Sequence, residues 1–387
     1  MILQKSERRL AEVNLSDAAV RREERAIFDL RKLYEQYGYK KYKMSKFEEY
    51  ELYLENKSFL PSQQVITFTD LRGKLMALKP DVTLSIAKNA PSEPAEPEKL
   101  YYNENVYRTP RGSNEYKEIM QLGLECLGDI DLYTQCEVVL LACKSLITLS
   151  EESLMVVSHM GFVSGLLESC ALSRSHEEKI LKCIGHKNAH EILKLCEASN
   201  VPQQTRDSLV ALTSLYGNFA ETLARAEKLV RNEKMAASLL ELRELYSVLG
   251  GEPESAGAKL DFSVINDLSY YNGLIFQGFI NGVPNAIIAG GRYDNLMEKL
   301  GKNTKAIGFA VYADQLERCD PETDRFDVDV LLVYDKGADM FKLNAAVKML
   351  TANGRRVRVQ TTKSEKLRYR QLLRLGDGGL EILETND

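Results

Sequence analysis

The stretch YRTPRGSNEYKEIMQLGLECLG, residues 107–128, carries the pattern on which the reading of this chain turns. Its second half predicts a strand, with Ile119, Met120, Leu122, Leu124, Cys126 and Leu127 apolar, yet Gln121 and Glu125 stand four residues apart inside it. Side chains at i and i+4 of a strand point to the same face, so an amide and a carboxylate share one side of a segment that otherwise reads as buried. Burying an unpaired carboxylate costs several kcal/mol or forces it to take up a proton. Either that face meets water, or something polar fills the space before it.

Working outward, a second strand at roughly 100–108 precedes the polar loop TPRGSNEYK, and a helix is expected at about 131–148. Upstream, SDAAVRREERAIFDLRKLYEQYGY predicts a long amphipathic helix over 17–37, with Ser16 as N-cap and Val20, Ile27, Leu30 and Tyr34 at helical spacing. Strand-like pieces follow at Lys40–Phe47, 65–70 and 75–80, the last two joined by LRGK, whose glycine suits a hairpin turn. DVTLSIAKNA then opens a helix that Asp81 or Thr83 is able to cap. Residues 174–249 are rich in Leu, Ala, Glu and Lys without a convincing strand and read as a helical insertion. Strand patterns resume at KLDFSVI, LIFQGFI and AIIAGG, with NGVPN as the loop between the last two. The order of elements is α+β rather than a run of βαβ units. A final stretch, FDVDVLLVYD, a helix near 338–352 and RRVRVQTT, begins a short α/β segment. The chain is expected to divide into a domain at 1–322, carrying the insertion, and a smaller unit at 323–387.

Composition excludes several classes. Of 387 residues, 51 are Lys or Arg and 56 Asp or Glu, with no basic block that reads as a phosphate-binding stripe. The N-terminal MILQKSERRLAEVN has no apolar core of signal-peptide length, and no segment is uninterruptedly apolar over the ~18 residues of a membrane span, so a cytoplasmic protein is expected. Seven cysteines without a repeated short spacing fit reduced thiols better than a disulfide framework. Cys183, His186 and His190 in CIGHKNAH lack a clear further ligand, so no metal site is expected, and His159, His176, His186 and His190 are read as surface or helix-end residues.

Taken in order, these blocks resemble the catalytic domain of histidyl-tRNA synthetase, a class II aminoacyl-tRNA synthetase, over about 15–320. GYKKYKMSKFE is similar to that family's motif 1, LKPDVT to its proline-acid-threonine loop, and VYRTPRGSNEYKEIMQLGLECLG to its motif 2 hairpin. LSYYNGLIFQGF and AGGRYDNLMEKLG resemble two histidine-specific blocks, and AIGFAVYADQLER stands where motif 3 should be. The resemblance implies an antiparallel sheet with flanking helices that holds free L-histidine. Glu125 would then accept an imidazole N–H, Gln121 and Arg108 would address the amino acid's polar end, Asp81 and Thr83 its α-ammonium, and Tyr270 and Tyr271 would close on the ring. Taken singly, the same residues have plainer readings: Asp81 as a helix cap, Arg108 as a counter-charge to Glu125, the tyrosines as core.

The departures from the family pattern decide the expected function. Gln315 replaces the motif 3 arginine that holds ATP phosphates, and Asn266 replaces a second arginine beside the reacting carboxylate. Pro110 stands for an adenine-contacting glutamate, Ile119 for the aromatic that stacks on adenine, and Ser45 for the motif 1 proline. Adenylation needs preorganised positive charge, and losing one such donor costs ~10²–10³ in rate. The pattern therefore implies a chain that is not itself an enzyme and uses no cofactor. It is similar to the synthetase-like regulatory subunits that partner the short catalytic chain of ATP phosphoribosyltransferase in a hetero-octamer and carry histidine feedback, with a class II-type homodimer of its own and no tRNA. A divergent histidyl-tRNA synthetase is the alternative, with Arg111, Arg292 or Arg318 in place of the lost arginines.

Overall fold

A computed structural model describes residues 22–55, 65–109, 115–170, 172–251, 257–265, 270–319, 326–364, 366–376 and 379–386. Ser16, Val20, Pro110, Arg111 and Asn266, singled out above, lie outside the described residues, as does the side chain of Arg318. The chain forms two compact units, one of Ala26–Leu316 and one that holds the C-terminal Glu317–Asp387.

The first unit is entered through α1 (Arg22–Gln36), β1 (Lys40–Lys41), β2 (Phe47–Glu49), α2 (Tyr50–Glu55), β3 (Thr67–Thr69), β4 (Leu75–Leu78) and α3 (Thr83–Asn89). The expected strand at 40–47 is thus two pieces in different sheets, because Met44 turns inward between them to join the core. Next come β5 (Glu98–Arg108), β6 (Lys117–Gly128), α4 (Leu132–Leu149), β7 (Ser153–His159) and α5 (Met160–Glu168). Asp131 starts α4 by accepting from the Thr134 N–H at 2.7 Å. By composition α4 is apolar enough to cross a membrane, yet 61% of it is buried inside the fold, where it serves as a core helix.

The insertion holds α6 (Arg174–Gly185), α7 (Ala189–Ala198), α8 (Gln203–Leu212), β8 (Tyr216–Asn218), α9 (Phe219–Glu227) and α10 (Glu233–Leu249). Asn188, Asn218 and Asn232 cap α7, α9 and α10 through the N–H groups of Glu191, Glu221 and Met235. The expectation of no strand here is corrected by β8, which pairs antiparallel with β9 (Lys259–Asp261). Three residues are too short to show an alternating pattern among helix formers. The unit closes with β10 (Leu274–Ile280), β11 (Ile288–Arg292), α11 (Asp294–Lys299), β12 (Lys305–Tyr312) and a 3₁₀ segment at Ala313–Cys319.

Among the described residues the strands form a nine-stranded sheet in the order β1-β5-β6-β12-β11-β10-β7-β9-β8 and a three-stranded sheet in the order β2-β4-β3. The large sheet is mixed rather than purely antiparallel, since β1 runs parallel to β5 and β7 parallel to β9. One face packs on α1 and α4. Leu30 and Tyr34 of α1 are fully buried there, each worth ~1.5–3 kcal/mol. The Tyr34 ring lies 6.2 Å from Tyr101 and 6.0 Å from Phe309, and its hydroxyl meets Ser145 at 3.0 Å. On the opposite face α3, α11 and the small sheet enclose a second core, with Ala77, Val82, Leu84, Ile86, Tyr102, Leu127, Tyr293 and Leu296 at its centre.

The C-terminal unit contains β13 (Val328–Tyr334), α12 (Met340–Ala352), β14 (Val357–Gln360), β15 (Tyr369–Gly376) and β16 (Gly379–Thr385). Its sheet order is β14-β13-β15-β16, around a core of Val330, Leu332, Leu343, Leu350 and Leu373. The final hairpin goes beyond the pattern seen in the sequence: Arg370 and Arg374 interrupt β15, and the β15–β16 register shifts between Leu372 and Leu373.

Candidate functional site

Gln121 and Glu125 project from β6 into the second core, and both are buried, at 3% and 1% exposure. Residues directly opposite in an antiparallel ladder share a face. Across from Glu125, Gly123 and Gln121 stand Gly308, Ala310 and Tyr312 of β12, and on the other side Leu100, Tyr102 and Glu104 of β5. The smallness of two of these positions makes room for the large ones. A Cβ on Gly308 would fall inside the Glu125 carboxyl group, and one on Gly123 would meet the Tyr102 hydroxyl. Both polar chains therefore lie flat against the sheet.

Two hydroxyls hold the carboxyl. Thr83, the first residue of α3, donates to Glu125 Oε1 at 2.6 Å, and Tyr293 donates to Oε2 at 2.7 Å. Burial pushes the Glu125 pKa up to about 8, against the lowering effect of these two bonds and with a further push from Asp81. The surrounding cations are engaged elsewhere. Arg108 Nε donates to the Pro80 carbonyl at 2.7 Å, and its Nη2 lies 3.6 Å from Asp81 Oδ2. Lys79 pairs with Glu104, and Arg292 Nε donates to Asp294 at 2.8 Å. Arg108 is thus not the counter-charge of Glu125. Asp81 does cap the helix in effect, accepting from the Leu84 N–H at 2.8 Å, while keeping its second oxygen toward Arg108.

Three tyrosine rings cluster beside the Glu125 carboxyl. The Tyr270 and Tyr271 rings lie 4.4 Å apart at 56°, and Tyr270 lies 5.8 Å from Tyr293 at 37°. Both Tyr270 and Tyr271 are half-buried against the second core, so the core reading of them holds in part. Burial raises the pKa of Tyr270 and Tyr293 well above the usual phenol range, leaving both as hydroxyl donors. The fold thus brings Asp81, Thr83, Arg108, Glu125, Tyr270 and Tyr271 together, with Gln121 four residues from Glu125 on the same face of β6.

Sequence reading assigned no role to Tyr293, Tyr312 or Gly308, although the first stands in the quoted AGGRYD block. The arrangement offers a buried carboxyl beside three tyrosine rings, with the Asp81–Arg108 ion pair nearby. That suits a small ligand with an N–H-bearing ring and a zwitterionic end.

On the expected nucleotide side, Ile119 packs against the second core as a half-buried aliphatic chain, and the Ser45 hydroxyl accepts from the Phe47 N–H at 3.1 Å. Arg292, one of the candidate replacement cations, is tied to Asp294. Among the described residues no group of three or more His, Cys, Asp or Glu side chains is placed to hold a metal ion. His159 is a helix-end residue but not a surface one: it is 4% exposed, accepts from the Gly161 N–H at the start of α5, and meets Glu241 of α10 at 3.2 Å.

The family profile described as histidyl-tRNA synthetase matches residues 11–316. An ATP phosphoribosyltransferase regulatory subunit from Acetivibrio thermocellus is 29% identical over 314 residues, covering 79% of this chain and 75% of that protein. One from Oceanobacillus iheyensis is 26% identical over 357 residues, covering 91% of this chain and 87% of that one. A solved structure described as an ATP phosphoribosyltransferase regulatory subunit/histidyl-tRNA synthetase from Bacillus halodurans superposes with a TM-score of 0.72 at 25% identity, over 91% of this chain and 93% of that one.

Proposed function

The chain belongs to the histidyl-tRNA synthetase family, and from that premise we propose that it is a non-catalytic regulatory subunit of ATP phosphoribosyltransferase, acting in the first step of histidine biosynthesis. It pairs with itself as a class II-type homodimer, joins short-form catalytic chains in a cytoplasmic hetero-octamer, and carries histidine feedback. L-histidine occupies the pocket of Asp81, Thr83, Arg108, Gln121, Glu125, Tyr270 and Tyr271. The names of its relatives from Acetivibrio thermocellus and Oceanobacillus iheyensis support the regulatory role.

The observation that carries this reading is the unequal state of the two halves of the site. On the side read as the amino-acid half, the Glu125 carboxyl is buried and held by Thr83 and Tyr293. Gln315 and Ile119 stand at positions where the family resemblance implies ATP contacts, and Arg292, a candidate replacement cation, is committed to Asp294. Without fixed positive charge around a phosphoryl group, adenylation loses its main source of transition-state stabilisation.

Two measurements separate this role from that of a divergent synthetase. Histidine-dependent ATP–pyrophosphate exchange is expected to be absent, and the chain is expected to co-purify with the short phosphoribosyltransferase of its own organism and raise its activity. Exchange above background, or a catalytic chain indifferent to this one, would overturn the proposal.

A further inference from the structure

We infer that Glu48 and Ser85, which lie outside the pocket, are positioning residues that set the Thr83 hydroxyl on Glu125; the inference rests on the histidine-pocket reading above. Helix α3 carries Thr83 and Ser85 two residues apart. At ~100° per residue, positions i and i+2 fall on nearly opposite sides of a helix. The structure uses both sides in the same way. Thr83 donates to Glu125 of the large sheet at 2.6 Å, while Ser85 donates to Glu48 Oε1 of β2, in the small sheet, at 2.5 Å. The Glu48 carboxyl is held from behind by the Tyr53 hydroxyl of α2, which donates to Oε2 at 2.5 Å. Ser85 is fully buried, so its bond is shielded from water.

The geometry makes α3 a strut clamped between two acid–hydroxyl pairs. A helix of seven residues has few hydrogen bonds of its own to fix its position, and at its N-terminus the Asp81 carboxyl, rather than Val82, accepts from the Leu84 N–H. At its other end Lys302 donates to the Lys88 and Ala90 carbonyls, which restrains that end. Asp81 and the buried Leu84, Ile86 and Ala87 anchor α3 as well, and the Ser85–Glu48 bond sets its fine position on the side away from Glu125. Without that bond α3 shifts enough to lengthen the Thr83–Glu125 bond, and an imidazole donor then meets a carboxyl held by Tyr293 alone.

The test measures histidine affinity by calorimetry on the full chain, with far-UV circular dichroism and thermal unfolding as folding controls. Ser85→Ala and Glu48→Ala are expected to weaken histidine binding about three- to tenfold, the range of one hydrogen bond, and Glu48→Gln, which keeps an acceptor for Ser85, to restore most of it. Tyr53→Phe, which removes the hydroxyl behind Glu48 and keeps its bond to Ser85, is expected to weaken histidine binding less than Ser85→Ala does. In a Thr83→Ala background, Ser85→Ala is expected to have no further effect on affinity, because its influence passes through the Thr83 hydroxyl. Wild-type affinity in both Ser85→Ala and Glu48→Ala, or losses that simply add to that of Thr83→Ala, overturns the inference while leaving the histidine reading standing. Failure of the wild-type chain to bind histidine overturns the reading and the inference together.

Discussion

Replacing Glu125 with glutamine should make the protein more resistant to unfolding at alkaline pH, and the size of the effect follows from where the carboxyl sits. Its pKa rises from 4.5 to about 8 in the folded chain, with burial as the main cause and the Thr83 and Tyr293 hydroxyls pulling the other way. Between those two values the folded state keeps a proton that the unfolded chain has released. Stability therefore falls as pH rises through that window: the contribution is fully present below 4.5 and lost once pH passes about 8. At ~1.36 kcal/mol per pH unit, the interval from 4.5 to about 8 corresponds to an upper bound of ~5 kcal/mol. Glutamine preserves shape and hydrogen-bonding capacity but does not titrate. The stability of Glu125→Gln minus that of the wild type should then grow by up to ~1.4 kcal/mol for each pH unit across the upper part of the window. Above it the difference should level off. Urea unfolding of both proteins at one concentration, at four pH values from about 5.5 to 9, reads the difference directly, and fixed concentration keeps any oligomeric contribution constant. Parallel stability profiles for the two proteins would refute the argument, because they would mean that Glu125 ionises in the folded state as easily as in water.

Tyr293→Phe removes the hydroxyl on Glu125 Oε2, a bond that favours the ionised carboxyl. It should push the Glu125 pKa still higher and cost ~1 kcal/mol of stability, more at pH 8.5 than at pH 5.5, as seen in the same urea experiment. Gly308→Ala places a methyl group where the Glu125 carboxyl lies and should cost ~1–3 kcal/mol in stability and abolish detectable histidine binding by calorimetry; unchanged binding would mean that Glu125 has another resting position. Light scattering on the purified chain should give the mass of two chains, paired through the region of α1 and the strand after it, and a mass of one chain at micromolar concentration would contradict the pairing.

The placement of Gln121 and Glu125 on one buried face was legible because strand alternation is local: five residues suffice to show it. What surrounds them was not. Gly308 lies far along the chain from Glu125, and only the β6–β12 register reveals that the two are opposed. Tyr293 was visible as part of a quoted block, but nothing local says that its hydroxyl crosses to β6. Strands β1, β2 and β8 escaped clear reading because two or three residues cannot display a period of two, and their pairing comes from tertiary contacts. Arg108 illustrates a different limit. Charge complementarity alone makes it a partner for Glu125, whereas the fold turns it toward Pro80 and Asp81.

The bond from Tyr293 to Glu125 also gives the pocket an optical signature. The chain has 19 tyrosines and no tryptophan, so tyrosine dominates its emission and no indole drains the excited state. An excited phenol becomes a much stronger acid and passes its proton to a hydrogen-bonded carboxylate, which quenches its emission. Tyr293 is in that situation once pH passes about 8 and Glu125 ionises, and Tyr270 and Tyr271 lie close enough to hand it their excitation. A ligand that draws the carboxylate away from Tyr293 relieves the quench, so occupancy of the pocket can be followed in the unlabelled protein by the brightness of its tyrosines.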